Sequence, residues 1–355
     1  MARICLIGCN DNSVKYANLL DRFNALACVY DEDQNNVAMF AKRYNLSLSS
    51  SSYYYKSIQD VMNDTSIDGI VIATDNNKHL ALIKEIVDYI KKDDRRRIRR
   101  EEGRSIHILV DESLMDDYNK CKEIARMIDS SNGRVTLMPC YIEYFNPIIE
   151  EVKHTITSKG YNPILFVFED SVAYSEERQL NLKTIIHDDI TTLVYLLKEL
   201  PRYVSSISMS KNGNELIASL LAYSKSKLVT EIIARVMNVK KEEIEVKEKT
   251  DKGSKEDVIE RLYYRRVKIV CTDDTILDIN PLAQELKIIH CNDNAKIIRK
   301  EHVNKLYILV SNFIAAIDGR EKLKVTIDDA LLVERIKDAI VLSSRLGSPI
   351  YIGDR

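Results

Sequence analysis

Residues 8–13 read Gly-Cys-Asn-Asp-Asn-Ser and directly follow the apolar run ICLI at 4–7. In a dinucleotide-binding turn, glycines let the backbone and a helix N-terminus approach a diphosphate closely. Gly8 keeps the first glycine of that pattern, whereas Asn10 and Ser13 occupy the positions of the second and third. Asn tolerates left-handed backbone geometry and Ser is small, so the spacing predicts a modified phosphate-binding turn.

An acidic pair completes this pattern. Asp31 follows the apolar run LACVY, at the point where a carboxylate typically binds the ribose hydroxyls of NAD, and Glu32 adds charge that would repel the 2′-phosphate of NADP. We therefore predict that NAD binds better than NADP. The predicted cofactor-binding residues of this half are Gly8, Asn10, Asn12, Ser13, Asp31 and Glu32. The alternative is a domain of the same fold that binds no nucleotide and has only an acidic turn.

The elements that would position these residues alternate between strand and helix. Apolar runs predict strands at 3–8, 26–31, 68–74, 105–112 and 134–140. Helical periodicity and capping residues predict helices at 13–22, 33–44, 57–64, 77–91 and 116–129. Because apolar strands that alternate with helices form parallel sheets covered on both faces, residues 1–140 are predicted to be a Rossmann-type α/β domain.

The pattern changes after about residue 145. Strand-like segments at 164–170, 204–210 and 264–272 follow one another with few helices between them, and 227–237 fits either a strand or a helix. This succession favours an α+β domain over 141–355 with a mostly antiparallel, open sheet. Two helices are predicted near the end of the chain, at 302–319 and 326–347. These helices can pack back toward the first domain.

Length and composition limit the function classes. The 355 residues are 45% hydrophobic and 30% charged with a net charge of −2, which suits two globular domains without bulk attraction to nucleic acid or membrane. No apolar run approaches the roughly 20 residues of a membrane span, and the start of the chain does not resemble a signal peptide. The seven scattered Cys predict reduced thiols and a cytoplasmic location, and no Cys/His spacing predicts a metal site.

One charged segment, KKDDRRRIRREEGR at 91–104, is rich in Lys and Arg. It fits a docking site for an acidic partner or a solvated helix extension or loop. We favour the solvated segment, because such runs are commonly exposed and this one leads into the start of a strand, away from the edge where ligands bind.

The segments DGIVIATDNNKHLALI at 68–83 and FIAAIDGREKLKVTIDDALLVERIKDAIVLSS at 313–344 carry a family likeness. With the order of elements, they make the chain resemble the glucose–fructose oxidoreductase and inositol dehydrogenase (Gfo/Idh/MocA) family. The resemblance implies a Rossmann domain, a second domain with an open sheet, NAD(P)-dependent redox chemistry on sugars, polyols or sugar nucleotides, and homodimers or homotetramers joined through those sheets. It also implies cofactor contacts from Thr74, Asn76 and His79, with Asp75 in place of a proline.

The resemblance also identifies departures at the catalytic positions. The family's fourth strand normally ends Glu-Lys-Pro, where this chain has Asp111 and Glu112 followed by a serine. Asp111 is thus implied as a further cofactor contact, and Glu112 replaces the lysine. In the second domain, His187 matches the family's catalytic histidine, whereas Lys183 replaces the aspartate four residues earlier.

Two functions follow from these departures. If Glu112 and Lys183 exchange charges in one pocket, Lys183 would lower the pKa of His187, His187 would act as base, and the chain would be an NAD-dependent oxidoreductase. If the departures reflect lost catalysis, the chain would be a degenerate member that binds a nucleotide or sugar, or an assembly subunit.

Overall fold

The computed structural model describes the chain in segments. These are residues 2–44, 46, 55, 57–96, 105–111, 117–174, 182–211, 214–238, 263–291 and 294–352. The chain divides into two compact units, one made of Met1–Ile142 with Asn304–Glu334 and the other of Glu143–Val303 with Arg335–Arg355. The sequence-based division after residue 140 stays a prediction about the domains.

The first unit is built on a five-stranded parallel sheet with the order β2-β1-β3-β4-β5. Its strands are β1 Ile4–Ile7, β2 Leu26–Tyr30, β3 Gly69–Ile72, β4 Ile106–Val110 and β5 Val135–Pro139. Its helices are α1 Val14–Arg22, α2 Gln34–Arg43, α3 Ile58–Asn63, α4 Asn76–Arg96 and α5 Tyr118–Asp129. The predicted α/β class of this region is confirmed.

The strands form because their residues are apolar on both faces. Every residue of β1 and β3 is buried, as a parallel sheet covered by helices requires. The helices begin at capping side chains: the Asp33 carboxylate accepts from the Asn35 N–H, and the Asp117 carboxylate accepts from the Asn119 N–H. Because α2 follows β2 and α5 follows β4, both helices begin near the carboxyl edge of the parallel sheet, where ligands of such folds bind.

Two further helices close the chain, α8 Lys305–Ile317 and α9 Ile327–Leu346. Helix α8 belongs to the first unit and packs on α1, where the rings of Phe23 and Tyr307 stack with centroids 4.8 Å apart. Helix α9 begins in the first unit and ends in the second, since the division falls between Glu334 and Arg335. Helix α4 extends into the charged run as far as Arg96, and 97–104 lies outside the described residues.

The second unit carries a nine-stranded sheet with the order β13-β12-β11-β10-β6-β9-β8-β7-β14. Its strands are β6 Pro163–Tyr174, β7 Tyr203–Lys211, β8 Asn214–Ala222, β9 Val229–Asn238, β10 Tyr263–Cys271, β11 Ile276–Asn280, β12 Glu285–Ile289, β13 Lys296–Arg299 and β14 Ile350–Tyr351. Apart from the parallel pair β6 and β9, the pairings are antiparallel. The predicted, mostly antiparallel sheet is confirmed, and the ambiguous 227–237 is strand β9.

Two helices of this unit are α6 Pro147–Lys159 and α7 Leu182–Leu197. Helix α6 was not predicted, although its boundaries are marked in the sequence. The Asn146 side chain accepts from the Ile148 N–H, Pro147 occupies the first turn, and Gly160 ends the helix in left-handed geometry. In the described part of the chain, no helix combines the length and the apolar character needed to cross a membrane.

Candidate functional site

The turn after β1 brings the backbone of Gly8 against β3. Gly8 has φ +100°, and a Cβ built on it would lie 2.7 Å from the carbonyl oxygen of Ala73. A side chain at position 8 would therefore clash with backbone and strain the turn. Gly8 lets β1 turn at the carboxyl edge of the sheet, as the sequence analysis expects of the first glycine.

The Asn10 and Ser13 side chains, which replace the other glycines, bond to the turn itself. The Asn10 Oδ1 accepts from the Ser13 N–H at 3.0 Å, and the Ser13 Oγ accepts from the Asn10 N–H at 2.9 Å. This reciprocal cap orders the 3-10 turn Asp11–Ser13 that leads into α1. The Asn10 amide also donates to the Ala73 carbonyl at 3.2 Å, while Asn12 is exposed on the turn.

Asp31 lies beside this turn at the end of β2. Its Oδ2 accepts from the Cys9 N–H at 2.7 Å and its Oδ1 accepts from the Asp33 N–H at 2.9 Å. Each carboxylate oxygen has a second lone pair, so these bonds orient the group without exhausting it as an acceptor. A carboxylate fixed next to the phosphate-binding turn can accept hydrogen bonds from ribose hydroxyls.

Glu32 is paired with a lysine that the sequence analysis did not consider. The Lys78 Nζ, in the first turn of α4, lies 2.6 Å from the Glu32 Oε2, and this pair raises the pKa of Lys78. Both side chains are exposed, which makes the pair a weak one. Even so, the ammonium offsets part of the negative charge of Glu32.

The loop after β3 contains the three residues implied by the family likeness. The Thr74 Oγ1 is buried without a hydrogen-bond partner among the described residues. His79 is fully buried, and its Nε2 lies 2.9 Å from the Thr74 carbonyl oxygen, so the ring holds the loop from within. Asn76 is the first residue of α4. Thr74 thus offers a polar atom to a ligand, whereas His79 supports the loop.

At the end of β4, Asp111 is the centre of a cluster that the sequence analysis identified only in part. The Tyr16 hydroxyl donates to Asp111 Oδ1, and the Lys15 Nζ lies 3.1 Å from the same oxygen. The Tyr16 hydroxyl is also 3.1 Å from the Cys140 Sγ, and burial with these neighbours raises the pKa of Tyr16. Lys15 and Tyr16 were missed because their positions in α1 reveal no partner until the sheet is assembled.

These features fit a dinucleotide. Gly8 permits a close backbone approach, Asp31 is an oriented acceptor, and the Thr74 Oγ1 is a buried polar atom in need of a partner. The sequence-predicted residues Gly8, Asn10, Ser13 and Asp31 are in mutual contact or adjacent to one another. Among the described residues, no group of three or more His, Cys, Asp or Glu side chains could hold a metal ion.

The predicted catalytic residues are only partly described. Glu112 and the Lys183 side chain lie outside the described residues, so their proposed exchange of charges stays a prediction. His187 is half-buried in the second unit, and desolvation lowers its pKa to about 3, with a smaller contribution from the Lys337 ammonium. At neutral pH its ring is therefore uncharged.

A buried ion cluster that was not predicted from the sequence includes Asp189, two residues after His187. The Arg265 guanidinium lies 3.2 Å from Glu143, 3.5 Å from Asp170 and 3.2 Å from Asp189, and all four side chains are buried. Asp188 lies farther off, at 4.0 Å. Burial together with the neighbouring carboxylates raises the pKa of Asp170, and that of Asp189 to about 7. One cation thus serves several carboxylates, which favours protonation of some of them.

Comparison with known proteins agrees with this geometry. Residues 2–93 match the model of an oxidoreductase family with an NAD-binding Rossmann fold, Gfo/Idh/MocA. This N-terminal region of the chain is therefore similar to the Gfo/Idh/MocA family. The resemblance drawn from the sequence is thereby confirmed. No curated protein matches the sequence.

Solved structures of similar fold cover nearly the whole of this chain. UDP-N-acetylglucosamine 3-dehydrogenase GnnA from Acidithiobacillus ferrooxidans has 13% identity and a TM-score of 0.73, with 97% of this chain and 98% of that chain covered. An oxidoreductase from Agrobacterium radiobacter, in complex with NAD+, L-tartaric acid and magnesium, has 13% identity and a TM-score of 0.75, covering 99% and 98%.

A third similar structure is a super-repressor mutant of Gal80p from Saccharomyces cerevisiae. It has 10% identity and a TM-score of 0.75, with 99% of this chain and 97% of that chain covered. At such identities these likenesses establish a shared fold.

Proposed function

We propose that this protein is an NAD-dependent oxidoreductase that acts on a hydroxyl group of a sugar, polyol or sugar nucleotide. The observation that carries the proposal is the Asp31 carboxylate, held 2.7 Å from the Cys9 N–H beside the turn at Gly8. The family match supports the cofactor class. The similar fold of GnnA, a UDP-N-acetylglucosamine 3-dehydrogenase, supports a sugar-like substrate.

Different residues of the chain would bind the cofactor and take the proton from the substrate. Asp31 would accept from the ribose hydroxyls, the Asp11–Ser13 turn would meet the diphosphate, and Thr74 would donate to the nicotinamide half. Bound NAD would supply the hydride acceptor. His187, whose ring is uncharged at neutral pH, would take the proton of the substrate hydroxyl.

NAD should bind better than NADP because a 2′-phosphate would meet the carboxylate of Asp31. Titration calorimetry with both cofactors tests this preference. Asp31→Ala should weaken NAD binding by at least about tenfold, the equivalent of one charge-assisted hydrogen bond. Glu32→Gln is the matched control and should change NAD binding little, because Glu32 is exposed and paired with Lys78. Equal affinity of Asp31→Ala and wild type would contradict the assignment.

The reaction itself is tested by mixing the protein and NAD+ with a panel of sugars, polyols and sugar nucleotides and following NADH absorbance. His187→Ala should lower the rate by about 10²–10⁴-fold if His187 is the base. NAD binding should be unchanged in this variant. Wild-type protein that binds NAD but turns over none of the panel would favour the second candidate function.

That second candidate is a nucleotide- or sugar-binding protein without hydride transfer. The low pKa of His187 favours it, since a group whose pKa is near 3 is a weak base at neutral pH. The similar fold of Gal80p, solved as a super-repressor mutant, supports a non-enzymatic alternative. A ligand that raises the melting temperature without any turnover would be its signature.

We further propose that the functional form is a homodimer or homotetramer joined through the sheet of the second unit. The register places Ile207 and Met209 of β7, Leu220 of β8 and Tyr264 of β10 on the same face of the sheet. These side chains are exposed, Ile207 and Met209 to 60% and 55%. Apolar side chains grouped on one sheet face are typical of a protein interface, and here a second copy is the proposed partner.

The proposed compartment is the cytoplasm. None of the seven cysteines forms a disulfide bond in the structure, and six of them are buried. Thiols that are not oxidised to disulfides are typical of a reducing environment. Nucleic acid and membrane are not proposed as partners, because the chain's charge is nearly balanced.

A further inference from the structure

Lys15 projects its ammonium group to the carboxyl edge of the parallel sheet. It is the second residue of α1, its side chain is 40% exposed, and its Nζ lies 3.1 Å from Asp111 Oδ1 at the end of β4. Resting on the proposed NAD-binding function, we propose that Lys15 is the cation that binds the diphosphate of the dinucleotide. Asp111 and Tyr16 act as positioning residues for it.

The first argument is the shortage of donors in the turn. The Cys9 N–H is bound to Asp31, the Asn10 N–H to the Ser13 Oγ, and the Ser13 N–H to the Asn10 Oδ1. With glycines at positions 10 and 13, no side chains would compete for the last two of these N–H groups. The substitutions at positions 10 and 13 therefore leave fewer backbone donors for a phosphate, and a side-chain donor is needed.

The second argument is electrostatic. Asp11 places an exposed carboxylate in the turn Asp11–Ser13, and Asp31 places another beside Cys9. Two carboxylates beside a doubly charged diphosphate repel it. An ammonium group in the adjacent turn of α1 offsets that repulsion, and Lys15 is such a group.

The third argument is position. In the sheet order, β2 with Asp31 and β4 with Asp111 lie on opposite sides of β1. Neighbouring strands are about 4.8 Å apart, so an extended dinucleotide with its adenosine ribose on Asp31 runs over β1 and β3 toward Asp111. Its diphosphate would lie between the two carboxylates. Lys15 lies in α1, which follows β1, and its Nζ contacts Asp111 at one end of that interval.

The support of Lys15 fits this role. Asp111 is buried, and its Oδ1 accepts a hydrogen bond from the Tyr16 hydroxyl. The same oxygen contacts the Lys15 Nζ, so Tyr16 orients the carboxylate that holds the ammonium. The ammonium has three N–H donors. Asp111 occupies one of them and leaves two for phosphate oxygens.

The test is the NAD+ affinity of the full chain by titration calorimetry. Lys15→Met should weaken binding by about tenfold to a hundredfold, the value of a charge-assisted hydrogen bond, and should make it less sensitive to added salt. Lys15→Arg should recover most of the affinity. Lys42→Met is the matched control: it removes an exposed lysine from the last turn of α2, at the opposite edge of the sheet, and should change nothing.

The outcomes separate the two proposals. Wild-type affinity in Lys15→Met would overturn the role of Lys15 and leave NAD binding intact. A wild-type protein that binds no NAD+ would overturn both. Thermal unfolding without ligand shows whether Lys15→Met is folded. If it is not, failure of Lys15→Arg to bind NAD+ more tightly than a Lys15→Gln variant would overturn the proposal instead.

Discussion

Arg265 and Asp170 are direct cross-strand partners, β10 against β6, and the Arg265 Nε lies 3.5 Å from the Asp170 Oδ2 on the buried face of the sheet. Glu143 and Asp189 approach the same guanidinium at 3.2 Å each. Removing the shared cation would leave buried carboxylates without compensation, which is strongly destabilising.

Arg265→Met should destabilise the second unit by about 3–5 kcal/mol, as expected when one partner of a buried ion pair is removed. Denaturant unfolding measures the loss. Lys268→Met, an exposed lysine of the same strand, is the control and should cost less than about 0.5 kcal/mol. A variant Arg265→Met as stable as the control would show that the cluster contributes nothing to folding.

The pH dependence of stability should change in Asp189→Asn. The folded protein raises the pKa of Asp189 from its ordinary value to about 7, so the carboxyl group takes up a proton on folding. Its contribution to stability is fully present below the unfolded pKa of about 4 and is lost as pH rises toward 7.

Asn mimics the protonated carboxyl group. As the pH rises from about 4 to 7, the free energy of unfolding should therefore fall less in the variant than in wild type. Denaturant unfolding at a series of pH values measures both slopes. Asp273→Asn serves as control, because the pKa of Asp273 is lowered and its slope has the opposite sign. Parallel curves for wild type and Asp189→Asn would contradict the assignment.

Gly8→Ala should both destabilise the first unit and abolish NAD binding. The added methyl meets the Ala73 carbonyl oxygen at 2.7 Å and sits on a residue with φ +100°. Gly133→Ala is a matched control, since Gly133 has φ +78° but nothing within 4 Å of the added Cβ. Gly133→Ala should cost about 1–2 kcal/mol from backbone strain alone, and Gly8→Ala clearly more. Thermal unfolding and cofactor titration compare them. Equal losses of stability in the two variants would mean that the contact of the added methyl group with the Ala73 carbonyl oxygen has no consequence.

Ile207→Glu combined with Met209→Glu should dissociate the proposed oligomer into monomers, because two charges would be buried at the sheet face. Light scattering after size-exclusion chromatography gives the mass. Met39→Glu changes an equally exposed methionine on α2 of the first unit, 63% exposed, and should leave the mass unchanged. A monomeric wild type would refute the interface.

Most strands and helices of the first unit could be predicted from the sequence. Short-range signals sufficed there, because β1 and β3 are apolar at every position and Asp33 and Asp117 cap their helices locally. In the second unit the alternating strands are less distinct, and β9 was ambiguous because pairing with β6 and β8, far away in sequence, decides its conformation.

What the sequence by itself determined is the turn at Gly8, the carboxylate at Asp31 and the change from a parallel to an antiparallel sheet, since each is indicated by a pattern of residues close together in the chain. Only the tertiary structure decided that Lys15 meets Asp111, that Lys78 meets Glu32 and that Arg265 gathers Glu143, Asp170 and Asp189. The physical reason is that an ion pair depends on distances of a few ångströms between elements, and the strand order that sets those distances is a property of the assembled sheet.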